Sequence, residues 1–172
     1  MGKPRKVNFE IIPEDVDGKT PEPYQILWEV RNAHHQNLEG AEVALAWRKA
    51  LKPDPEGHLV LGRCQRTSDL QREFSPYDYI ILLNQEVWNE EEFTRDKKLA
   101  LVDHELCHAE ISTDQEGEVR IDERGRKVWR TKKHDIEEFY AIVQRHGCYK
   151  RDLEIFAEEL LKRKAEKEAA AR

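Results

Sequence analysis

The sequence predicts an α+β fold, with a small mixed or antiparallel sheet packed on a helix carrying H-E-x-x-H and further helices at the C-terminus. Three observations predict it. Segments 41–47, 59–66 and 77–83 alternate or cluster apolar residues as strands do. Segments 22–35, 94–112 and 149–172 repeat apolar residues at spacings of three and four, as helices do. His104-Glu105-Leu106-Cys107-His108 lies inside the second of these helical segments.

In chain order, residues 1–20 read as an extended, Pro-containing leader. Segment 22–35 follows as a helix with Tyr24, Leu27, Trp28 and Arg31 on one face. Segments 41–47 and 59–66 form a hairpin around Pro53-Asp54-Pro55-Glu56-Gly57, and 77–83 adds a third, more buried strand. His34, His35 and His58 read as surface residues. Thr94 to Asp96 start the central helix, and Thr113-Asp114 through Gly117 stop it. At about 100° per residue, Leu99, Val102, Leu106 and Ala109 form its apolar side, with His104 and His108 nearly opposite. Cys107 reads as a small buried side chain.

Segments 118–121 and 127–130 suit a second hairpin turning at residues 122–126. Asp135 and Glu138 have the spacing of a capping box, with Ile136, Phe139 and Val143 as the buried stripe of the helix behind it. The last segment, 149–172, is a charged amphipathic helix expected to pack on the domain through Leu153, Phe156, Ala157, Leu160 and Leu161.

Composition limits the function classes. At 172 residues, 37% of them charged, with a mean hydropathy of -0.86, the chain suits one domain with a modest core under a solvated surface. Three cysteines without C-x-x-C spacing suggest a reducing compartment. Lys3, Arg5 and Lys6 run into Val7-Asn8-Phe9-Glu10 and not into an apolar stretch, so no secretory signal is expected. The apolar run 79–83 is far too short to span a bilayer. A cytoplasmic monomer with no membrane partner is the expectation.

H-E-x-x-H carries the chemistry. On a helix, residues four apart share a face, so two imidazoles can grip one metal ion while the intervening Glu stands beside the open coordination position. With 7 His and 24 Glu in the chain, chance would produce the pattern with a probability of roughly 0.04. The inferred cofactor is Zn2+, which lowers the pKa of its water to about 7, with Glu105 as general base and a protein or peptide as substrate. Catalytic zinc takes three protein ligands, so a third must join His104 and His108. Segment 133–140 supplies the candidates: His134 just ahead of the predicted helix, or Glu137 or Glu138 within it, with His146 further on. Tyr140, Tyr149 and His146 are candidate oxyanion donors.

His104-Glu105-Leu106-Cys107-His108-Ala109, followed by a helix opening on His134-Asp135 and an aromatic residue, resembles the SprT-like and WLM-type zinc metalloproteases over residues 95–147. The whole chain is more similar to the putative phage metallopeptidase domains, which carry the same two segments at similar separation. The resemblance implies a zincin-like metallopeptidase domain over residues 21–150, a sheet set over the metal helix, and His134 as third ligand. SprT-like proteins place the aromatic residue four after the third His, whereas Phe139 comes five after His134, so Glu137 and Glu138 stay open as alternatives.

Residues 120–133 hold seven Lys or Arg against two acids in a chain of net charge -6. A solvated hairpin is the plain reading; weak contact with a nucleic acid, with Trp129 as stacking surface, is the sharper one. A non-catalytic, zinc-stabilised interaction module is the alternative to a peptidase. Glu105, which such a module would not need, favours the enzyme.

Overall fold

The computed structural model describes residues 8–170, so the first seven residues of the expected leader and the last two of the expected terminal helix lie outside the described residues. The chain divides into two compact units, Met1–Lys132 and Lys133–Arg172.

The first unit is mixed α+β. Strand β1 spans Phe9–Ile11, and helix α1 spans Glu22–His34. Pro23 sits in the first turn of α1, where its missing N–H costs nothing because those amides have no partner within the helix. Tyr24, Ile26, Leu27 and Val30 form the buried face. Trp28, expected on that face, is 41% exposed, because Ile26 takes the inward position beside Leu27 and Val30.

Strands β2 (Val43–Arg48), β3 (Gly62–Arg66) and β4 (Tyr79–Asn84) complete a four-stranded mixed sheet in the order β1-β2-β4-β3. The expected hairpin between segments 41–47 and 59–66 is not formed. Instead β4 lies between them, parallel to β2 and antiparallel to β3. Tyr79-Ile80-Ile81-Leu82-Leu83 is the continuous apolar run of the set, and such a run belongs in the middle of a sheet, where both faces are covered. The turn near Gly57 does exist: Asp54 accepts from the His58 amide through Oδ1 at 2.7 Å. It ends in a loop and not in paired strands.

After a single helical turn, α2 (Gln85–Trp88), comes α3 (Arg95–Cys107). Val102 and Leu106 of α3 join Leu45, Ile81, Leu83 and the inner face of α1 in one core. The helix stops five residues short of its predicted end. Ala109–Ile111 turns into strand β5, which pairs antiparallel with β6 (Trp129–Thr131). Tyr79 fastens this ribbon to the sheet, since its hydroxyl donates to Arg130 O at 2.6 Å and accepts from the Glu110 amide at 3.1 Å. Between the ribbon strands the predicted turn at 122–126 is present, with Asp122 Oδ1 accepting from the Arg124 and Arg126 amides at 2.9 Å each.

The second unit contains α4 (Tyr140–His146) and α5 (Arg151–Ala170). The expected capping box is absent: α4 begins at Tyr140, and Glu138 accepts from the Phe139 amide, the Tyr149 hydroxyl and Lys150. Those bonds hold its carboxylate below the usual range, the Tyr149 hydroxyl contributing most. Phe139 and Val143 are exposed, and in α5 Leu153 is buried while Phe156, Leu160 and Leu161 are exposed. Among the described residues no helix is long and apolar enough to cross a membrane.

Candidate metal centre

The last turns of α3 carry the motif. His104 and His108, one turn apart, have ring centroids 5.1 Å apart with planes at 83°. His108 is the residue that closes the helix, its amide bonded to Glu105 O at 3.2 Å. Its Nδ1 lies 2.8 Å from the carbonyl oxygen of Lys132. A carbonyl only accepts, so Nδ1 carries a hydrogen, and the neutral form of this ring has its lone pair on Nε2. This is the tautomer a metal-ligating imidazole requires, and a backbone carbonyl on the other nitrogen is a common way of setting it. Two neighbouring imidazoles, one of them so fixed, are a donor pair that fits zinc.

Glu105, on the same turn, is buried. It is 3% exposed and lies against Gly62 of β3, with the Cys64 amide close enough to act on its carboxylate. Burial raises its pKa above the usual carboxylate value, and the Cys64 amide and His108 only partly oppose this. A raised proton affinity is what a general base working near neutral pH needs. Room for the carboxylate comes from Gly62, whose hydrogen faces Glu105 where another residue would place Cβ. Burial pushes the Cys64 thiol up to about 12, so it stays neutral and offers no competing thiolate.

Two expectations for this helix are corrected. Cys107 is exposed, because helix geometry turns it away from the Val102–Leu106 stripe. His35, expected on the surface, is 7% exposed, with Nε2 2.7 Å from Asp103 Oδ1. It falls just past the end of α1, against Asp103 of α3.

His134 belongs to the second unit and lies in an irregular, exposed segment ahead of α4. Glu137 and Glu138 share that segment, and Tyr140, His146 and Tyr149 are exposed. In the basic segment, Trp129 is 3% exposed and packs edge-on against Tyr79, so it is not a stacking surface. Arg124 pairs with Glu73, Arg126 with Asp122 and Glu73, and Arg130 with Glu110.

Gly62, the Cys64 amide, the Lys132 carbonyl and the His35–Asp103 pair carry no local sequence signal. Each acts through a contact made across the fold.

The family model described as putative phage metallopeptidase matches residues 19–163. No curated protein and no solved structure matches the chain.

Proposed function

The chain belongs to the putative phage metallopeptidase family, and we propose that it is a zinc-dependent peptidase of zincin-like arrangement, with His104, His108 and His134 as ligands and Glu105 as general base. The family implies a metal ion; the donor chemistry of two imidazoles and the fixed tautomer of His108 favour zinc. The observation that carries the reading is the buried Glu105 carboxylate beside two imidazoles on the same helix turn. Burying a carboxylate is costly, and a purely structural metal site would gain nothing from it.

When bound, zinc acidifies a water molecule and polarises the carbonyl of the bond to be cut. Glu105 then takes the proton from the attacking water and delivers it to the leaving amine nitrogen. Gly62 leaves room for the carboxylate against β3, and burial raises its affinity for the proton it takes. Strand β3 stands at the edge of the sheet order beside Glu105, which suits a substrate peptide in extended form.

Lys132, the last residue of the first unit, is tied to His108 through both its amide and its carbonyl. His134 follows two residues later, within about 7 Å of chain from that anchor. This short tether supports His134 over Glu138, whose carboxylate is engaged by Tyr149 and Lys150. Acids pair with Arg124, Arg126 and Arg130, and Trp129 is buried, which favours a peptide over a nucleic acid as partner. Digestion of a peptide library with and without zinc tests the reading. Zinc-dependent cleavage is expected, and an intact library at full zinc loading would overturn it.

A further inference from the structure

We propose a second transition-metal site, formed by His35, Asp103 and Cys107 within the first unit. One donor atom from each of these residues lies within 4.8 Å of the other two. Asp103 and Cys107 are four apart on α3, so the helix stacks them on one face, one residue out of step with His104 and His108. The last turns of α3 thus bear two parallel ladders of donors.

His35 approaches from outside the helix. It closes α1, is 7% exposed, and aims Nε2 at Asp103 Oδ1 from 2.7 Å. A hydrogen bond tying α1 to α3 would account for His35 and Asp103, but it needs no thiol. Cys107 adds the donor that changes the chemistry: nitrogen, oxygen and sulfur together suit a zinc-class ion and not calcium or magnesium, which prefer oxygen alone. On binding, the ion replaces the hydrogen between His35 Nε2 and Asp103 Oδ1, the neutral imidazole carrying its hydrogen on Nδ1 instead, and the Cys107 thiol loses its proton to solvent so that the ion takes up the thiolate. Three protein donors leave one tetrahedral position for water. An entry route exists, because His35 also lines an open groove with Trp28, Arg31, Asn32, Gln36 and Glu39. An ion there would clamp the end of α1 to the helix that presents His104 and His108.

The site stands on its own residues and not on the peptidase reading. The test is cobalt substitution of the full-length chain, followed by optical spectroscopy and metal analysis, because only a thiolate ligand gives a sulfur-to-cobalt charge-transfer band. Wild type should show the band, and Cys107→Ser should lose both the band and about one bound Co2+ per chain. His35→Gln should weaken cobalt binding at the same site while the other ion is retained. The double variant His104→Ala, His108→Ala should keep the band. No band in wild type, a band that survives Cys107→Ser, or a band lost in the double variant would overturn the proposal. Loss of peptide cleavage in the double variant bears only on the peptidase reading.

Discussion

A Cβ atom on Gly62 would stand 2.6 Å from Oε1 of Glu105 and 3.1 Å from its Cγ and Cδ. The edge strand therefore carries hydrogen at the one place where a side chain would displace the carboxylate. Gly62→Ala should keep zinc, whose ligands it does not touch, and lower kcat/KM by about a hundredfold through misplacement of the base. Peptide cleavage at matched zinc loading measures this. Wild-type rates would show that Glu105 need not sit against β3.

The third ligand is tested by two substitutions whose effects should separate. His134→Ala should lose zinc in competition with a chelator, and activity with it. Glu138→Ala should keep the metal and disturb only the bonds to Tyr149 and Lys150. The reverse order would assign the ligand to Glu138.

Tyr79→Phe removes the hydroxyl that joins β4 to the ribbon at the Arg130 carbonyl and the Glu110 amide. Urea unfolding should show a loss of about 1 kcal/mol, the net worth of a lost hydrogen bond. An unchanged midpoint would mean that water replaces the hydroxyl without penalty.

Asp122 caps its turn through the Arg124 and Arg126 amides and pairs with the Arg126 guanidinium. These bonds, that from Arg126 first, lower its pKa to about 2. A carboxylate whose folded pKa is lowered stabilises the turn at neutral pH and loses that contribution as pH falls from the ordinary 3.8 toward about 2. NMR titration of the Asp122 carboxyl should give a midpoint near 2. A midpoint near 3.8 would show the turn to be open in solution.

What was legible in the sequence follows a physical division. Helix α1, the start of α3 and the turn at Asp122 are set by spacing and local hydrogen bonds, so residues 22–35, 94–96 and 122–126 announce them. The pairing of β2 with β4 is non-local: Pro53 to Gly57 form a turn wherever their flanks end, and only the greater apolarity of Tyr79 to Leu83 decides which strand takes the centre. The same division holds at the candidate metal centre. His104, Glu105 and His108 declare themselves by spacing. His35 looked like a surface residue because its partner Asp103 lies 68 positions away, and Trp129 looked like a stacking surface because nothing nearby shows that Tyr79 covers it.

Glu105→Gln separates a base from a ligand at this position. The amide is nearly isosteric, fits the same space beside Gly62, and cannot take a proton. Elemental analysis should find zinc content equal to wild type, while peptide cleavage at that loading falls to background. Equal cleavage by variant and wild type at equal zinc would contradict the account.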